Sequence, residues 1–196
     1  AVPPGGRVVI SGRTGVGKTT LLYILAGLLK PESGALTLFG AKASGNGTFM
    51  PPEKRGIGMV FQRSLLWPQM TAAGNVEFAL CQSDLSKSER AGRAREAMAL
   101  FGVDALEDRS PDTLSGGQAQ RVALARSIAA VPRLLLWDEP FTGLDLATRH
   151  TLAARALEYM KASGTTLVAV SHNDEDALLL DAWSFILKDG RIEKAL

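Results

Sequence analysis

Short apolar runs and amphipathic stretches take turns along this chain. Arg7–Ser11 (RVVIS), Leu134–Trp137 (LLLW) and Thr165–Val170 (TTLVAV) are continuous runs of strand length, rich in Val, Ile and Leu. The first predicts a buried strand, the second a continuous apolar strand and the third a further strand. Ala35–Phe39 and Gly56–Phe61 predict two more. Lys18–Leu29 predicts a helix stopped near Pro31, and Leu146–Ala162 and Asp174–Leu180 predict two others. Leu65 to Val131 differs in texture: it holds helical patterns rich in Ala, Arg and Glu, with a helix start in SDLSKSER capped by Ser86 or Ser88. Ser184–Leu187 followed by DGRI predicts a closing hairpin. Strands alternating with helices make this an α/β domain with a mainly parallel sheet. Residues 1–63 and 132–196 would form its core, and residues 64–131 an inserted all-α subdomain. No repeat or low-complexity tract interrupts the pattern.

Composition narrows the class of molecule without naming it. The chain has 196 residues, 46% hydrophobic and 21% charged, enough for one domain with a sizeable core. Its net charge of +2 (22 Lys and Arg against 20 Asp and Glu) is too weak to argue for a nucleic-acid partner. The longest apolar stretch, Leu21–Leu29, is far short of the roughly 20 residues that cross a bilayer. Cys81 is the only cysteine, so no internal disulfide can form; it is expected to be a small buried apolar residue. There is no signal-peptide pattern, and the chain opens at Ala1 without a methionine, which suggests a fragment or a trimmed chain.

Two segments carry chemistry. Gly12, Arg13, Thr14, Gly15, Val16, Gly17, Lys18 and Thr19 read GRTGVGKT, a full match to G-x-x-x-x-G-K-[ST], placed after a predicted strand and opening a predicted helix. Such a loop turns backbone N–H groups and the positive end of a helix toward phosphate oxygens. Lys18 would reach the β- and γ-phosphates, and Thr19 would ligate Mg²⁺. Leu134–Glu139 reads LLLWDE, an apolar strand ending in two carboxylates at the carboxyl end of the sheet. There Asp138 can hold Mg²⁺ and Glu139 can accept a proton from an attacking water.

A third segment, Leu114–Gln118 (LSGGQ), places Ser115, Gly116, Gly117 and Gln118 at another helix start, a second anion nest. One nucleotide does not need two cradles from one chain, so a second copy supplying this one in trans is the natural reading. LSGGQ between the phosphate loop and LLLWDEP resembles the signature of ATP-binding cassette (ABC) ATPases. The other markers stand in order: Gln62 in MVFQ resembles the glutamine-loop residue, Gly143-Leu144-Asp145 the D-loop, and His172 in VAVSHN the switch histidine. The resemblance covers nearly the whole chain.

It implies a P-loop NTPase core in which two subunits, identical or paralogous, face each other head to tail around two ATP molecules. Each ATP would lie between Gly12–Thr20 of one subunit, Thr20 included, and Ser115–Gln118 of the other. Glu139 would polarise water, His172 contact the γ-phosphate, Gln62 touch metal or water, and Asp145 cross the interface. The expected partners are a transmembrane permease and, for an importer, a substrate-binding protein, which puts the chain at the cytoplasmic face of the membrane. VFQRSLLWPQMTAAGNVEFAL resembles the corresponding stretch of bacterial importers, and Trp67 and Met70 would either floor a groove for the permease or pack within the helical subdomain. Chromosome-organising relatives insert a long coiled coil where this chain has only Arg63 to Thr113, and intact Lys18, Asp138, Glu139 and His172 argue against a catalytically dead module. Substrate identity is not legible. In this family the phosphate-loop strand usually follows further strands bearing an adenine-stacking aromatic residue; the eleven residues before Gly12 include none, so weak ATP binding is expected. The end of the chain just past the hairpin suggests that no regulatory domain follows.

Overall fold

The computed structural model describes residues 1–195. In chain order its elements are β1 (Arg7–Ser11), α1 (Lys18–Ala26), β2 (Leu36–Leu38), β3 (Ala41–Gly45), β4 (Thr48–Phe49) and β5 (Ile57–Val60). The helical section follows with α2 (Ala72–Phe78), α3 (Lys87–Leu100) and α4 (Gly116–Ile128). The chain then returns to the sheet through β6 (Leu134–Asp138), α5 (Leu146–Ser163), β7 (Thr166–Val170), α6 (Glu175–Leu179), β8 (Trp183–Lys188) and β9 (Arg191–Lys194). The main sheet runs in the order β5-β6-β7-β1-β8-β9, parallel except for β9, which closes the hairpin with β8.

Alternation along the strands explains why the central ones are apolar throughout. In β1, Val8 and Ile10 face α1 with Leu22 and Ala26, together with Leu134, Leu136, Val168 and Val170. Val9, Leu135, Trp137, Leu167 and Ala169 face the other way, into a cluster shared with the buried residues of α2 to α5. Period-two packing with both faces covered requires continuous hydrophobic strands. The helical section is thus cored together with the sheet.

Several expectations are corrected. Helix α1 ends at Ala26, not Leu29. Gly27 caps it at φ 83°, and a Cβ there would fall 2.5 Å from the Arg55 guanidinium. Arg55 is almost fully buried and donates to the carbonyls of Ile24, Leu25 and Met50, clamping this helix end. The strand expected at Ala35–Phe39 is short and lies outside the main sheet; it joins β3 and β4 in a separate antiparallel sheet. Those two strands escaped notice although Asn46 and Gly47, both at positive φ, form their turn. Cys81 is exposed, in the turn after α2, rather than buried. Of the two candidate caps for α3, Ser86 serves, in a capping box with Glu89. Among the described residues no helix is long and apolar enough to cross a membrane.

Candidate functional site

The loop between β1 and α1 is built around an unfinished helix start. Gly17 occupies the N-cap position in a left-handed conformation, no side chain caps the helix, and its first turn holds no acid. The first N–H groups of α1 are therefore left for an outside acceptor. At the other end of the loop, Gly12 sits at φ 146°, where a Cβ would come 2.5 Å from the Leu187 carbonyl oxygen of β8; only glycine fits. Lys18 Nζ folds over the loop and donates to the carbonyls of Gly12 at 2.8 Å and Arg13 at 3.2 Å. An ammonium held by two carbonyls of its own loop is placed to exchange them for phosphate oxygens.

Asp138 ends β6, paired with Val170 of β7, and is 2% exposed. Its Oδ2 is buried with no hydrogen-bond partner. Burial pushes its carboxyl above the ordinary value; the neighbouring Thr19 hydroxyl and the Lys18 charge pull it back, while Glu139 adds to the rise. A buried, unpaired carboxylate oxygen beside a threonine hydroxyl fits a hard cation. No group of three or more His, Cys, Asp or Glu side chains gathers among the described residues. The Asp138 carboxylate and Thr19 hydroxyl, with substrate phosphates, form a donor set of the kind that suits Mg²⁺.

Glu139 follows at φ 50°, a conformation that costs a non-glycine residue on the order of 1 kcal/mol. Its N–H donates to the Val170 carbonyl at 3.0 Å, which fixes the turn. Its Oε2 lies 2.6 Å from Nδ1 of His172, the second residue beyond β7. The glutamate side chain is 11% exposed and the imidazole 71%, so the pair reaches from the sheet edge out to solvent. Gln62, two residues beyond β5, is exposed on the neighbouring strand end. Lys18, Thr19, Gln62, Asp138, Glu139 and His172 thus all follow or end neighbouring parallel strands at their carboxyl ends, where open α/β sheets bind ligands.

The ABC transporter family model matches residues 1–142. The chain belongs to the ABC transporter family. It is 39% identical to an Fe(3+) ions import ATP-binding protein, FbpC, of Mesorhizobium japonicum, over 98% of this chain and 53% of that protein. It is 38% identical to a molybdate/tungstate import ATP-binding protein, WtpC, of Thermococcus kodakarensis, over 98% of this chain and 57% of that one. The chain thus spans little more than half the length of these curated relatives. Its fold is similar to a dimeric structure of a bacterial ABC transporter cassette, with a TM-score of 0.88 and 33% identity over 99% of this chain and 87% of that one. A post-hydrolysis dimer of the same cassette, bound to ADP and Pi, is matched with a TM-score of 0.89, 33% identity and the same coverage.

Ser115–Gln118, expected to form the signature, stand at the start of α4. Ser115 and Gly116 are exposed at the start of α4, and Ser115 and Gln118 bond each other in a capping box. Among the described residues no hydrogen bond joins them to the phosphate loop. Gly117 lies against Leu144 of the turn before α5, which Asp145 caps. The Thr148 hydroxyl and N–H hold the Asp145 carboxyl below its ordinary value. A cleft of about 750 Å³ opens between the helical section and the β5 edge; Ile57, Met59, Leu65, Trp67 and Val131 line it. Trp67 packs on Phe78 and under the Arg126 guanidinium, which burial lowers to about 10, still charged at neutral pH. Trp67 lines this cleft and Met70 does not.

One cluster beside the site escaped the sequence reading. Buried Asp176 accepts two hydrogen bonds from Arg149, at 2.7 and 3.0 Å, and one from Ser171 Oγ at 2.5 Å. Ser171 immediately precedes His172, and Arg149 stands one turn into the helix that Asp145 caps. The network ties those two segments together. Its signal was the spacing: an arginine four residues after Asp145 and a carboxylate four after His172.

Proposed function

We propose that this chain is the ATP-hydrolysing cassette of an ABC importer. The observation that carries the reading is the juxtaposition of an uncapped helix start, an unpaired buried carboxylate oxygen on Asp138 and the Glu139–His172 pair at the carboxyl ends of the central strands. Gly12–Thr20 would wrap the phosphates, with Lys18 on the β- and γ-phosphates. Thr19, Asp138 and Gln62 would hold Mg²⁺, which when bound neutralises charge developing on the phosphate oxygens. Glu139 would accept the proton of the attacking water, and His172, bonded to it, would contact the γ-phosphate. Residues 1–63 and 132–196 would act as the nucleotide-binding core and 64–131 as the signature-bearing subdomain.

Ser115–Gln118 and Asp145 would complete the site of a second subunit, identical or paralogous, in a head-to-tail dimer. A permease would dock in the cleft beside Trp67 and hold the chain at the cytoplasmic face of the membrane, with a substrate-binding protein on the far side. The two relatives are named for import of a metal cation and of oxyanions. They support import and leave the solute open.

The test is Glu139→Gln, which keeps shape and removes proton acceptance. Steady-state phosphate release should fall about 10²–10⁴-fold. ATP binding should persist, and ATP should drive the variant into a stable dimer by size-exclusion chromatography. Unchanged turnover would overturn the role of Glu139.

A further inference from the structure

Gln120 is a glutamine in the middle of a buried helix face, 4% exposed, on the signature helix α4. A buried primary amide is costly unless both its ends are paired. Here both are, to two different loops. Gln120 Oε1 accepts from the Ser64 hydroxyl at 3.1 Å, and Gln120 Nε2 donates to the Pro140 carbonyl at 3.0 Å. Ser64 stands two residues after Gln62, and Pro140 directly follows Glu139. One side chain therefore touches the segment that carries Gln62 and the loop that carries Glu139, while standing on the helix that begins with Ser115–Gln118. A second residue of α4 fastens the same segment: Arg126 donates to the carbonyls of Ser64 and Leu65, each at 2.9 Å.

We propose that Gln120 is a positioning residue that holds the segment carrying Gln62 and the loop carrying Glu139 in place against the start of α4, so that both groups stand where hydrolysis needs them. The inference rests on the proposed ATPase reading. The chemistry requires an amide: an apolar side chain of equal length would fill the space and pair with neither loop, and a carboxylate could accept from Ser64 but has no hydrogen for the Pro140 carbonyl. Neither partner is a reacting group, so losing the tether should misplace the catalytic groups without removing them. Misplacement of this kind costs catalysis up to about 10²-fold.

The experiment compares the full chain with Gln120→Met, Ser64→Ala and the double variant. Steady-state kinetics, ATP titration and backbone hydrogen exchange are measured on each. Gln120→Met should lower kcat about 10- to 100-fold with KM and ATP affinity unchanged. Ser64→Ala should lower kcat less, and the double variant should match Gln120→Met, because both changes cut one connection. Exchange should rise at residues 62–66 and 139–142 and stay constant elsewhere in α4. An active wild type with an equally active, folded Gln120→Met overturns the tether. Losses that multiply in the double variant, or a raised KM with kcat kept, overturn it too. A wild type without hydrolysis overturns the ATPase reading instead; exchange then decides the tether, which falls if residues 62–66 and 139–142 are as protected as before. Should Gln120→Met not fold, Ser64→Ala at its half-buried position carries the same test through kcat and exchange at residues 62–66.

Discussion

The chain presents two glycine-rich helix starts, and they are finished in opposite ways. At α1 the N-cap is Gly17, no side chain satisfies the first N–H groups, and Lys18 is tied only to carbonyls of its own loop. At α4 the start is closed: the Ser115 hydroxyl accepts from the Gln118 N–H at 3.3 Å, and the Gln118 side chain accepts from the Ser115 N–H at 2.9 Å. The first start has Asp138 and Glu139 beside it; the second has no acid in its first turn and none within its capping box. In the proposed function, an open helix end next to Asp138 and Glu139 would bind and cleave the nucleotide. A closed, exposed end can only offer donors to a ligand that something else holds. The difference fits the proposed head-to-tail dimer, in which the two would belong to different subunits' sites, each chain contributing one of each kind.

The sharpest way to break this comparison is to disable each start in a separate chain. Lys18→Ala should abolish hydrolysis by weakening nucleotide binding. Ser115→Arg should abolish it while leaving ATP affinity of the single subunit intact. Either loss should be at least of the 10²–10³-fold size seen when one transition-state donor is removed. Mixed together, the two inactive variants should regain partial activity, since one composite site then has both good halves. A mixture that stays inactive, although the two chains are shown to associate, would mean that the two starts do not meet across a dimer.

How much of this was legible beforehand follows from what each residue answers to. β1, β6 and β7 are covered on both faces, so their burial is written in sequence as RVVIS, LLLWD and TLVAV. The phosphate loop has a rigid spacing because backbone groups must converge on one anion. The small sheet was not legible: β3 reads AKASG and β4 is two residues long, so neither shows an apolar rhythm, and their order depends on Arg55 reaching Ser44 and α1. Polar residues inside helices went unread for a related reason. Gln120, Arg149 and Asp176 look like solvent-facing residues by type, and only the packed chain reveals their partners. Cys81 erred in the reverse direction, an apolar-type residue left in an exposed turn.

The carboxylate beside the open start supplies the next test. Burial raises the folded value of Asp138 above that of the unfolded chain, so the folded state holds its proton more tightly. Its contribution to stability is thus fully present below the unfolded value and is lost as pH rises through the folded one. Cation binding runs the other way, because only the ionised carboxylate can take Mg²⁺. Isothermal titration with ATP should show the Mg²⁺-dependent gain in affinity shrinking about tenfold for each pH unit below the folded value. Asp138→Asn should remove both the gain and its pH dependence. Nothing comparable is expected from Ser115→Ala, whose side chain does not ionise. A gain that survives in Asp138→Asn would move the metal elsewhere.

The smallest effect makes the most controlled comparison, because the molecule contains a twin of the signature cap. Helix α3 starts with Ser86 and Glu89 in a capping box whose two bonds measure 2.8 and 3.3 Å, against 2.9 and 3.3 Å for Ser115 and Gln118. Both serines are exposed and both accept from the third N–H of their helix. Removing either hydroxyl leaves one helix donor to water, so Ser86→Ala and Ser115→Ala should each destabilise the chain by about 1 kcal/mol in urea unfolding. They should part in activity. Ser86→Ala should hydrolyse ATP as the wild type does once temperature is kept well below the transition. Ser115→Ala should lose turnover beyond what its stability loss explains, because its hydroxyl would face the partner's nucleotide. Equal activity in the two variants would reduce the serine of LSGGQ to a helix cap, and the signature's function would then rest on the backbone of Gly116 and Gly117.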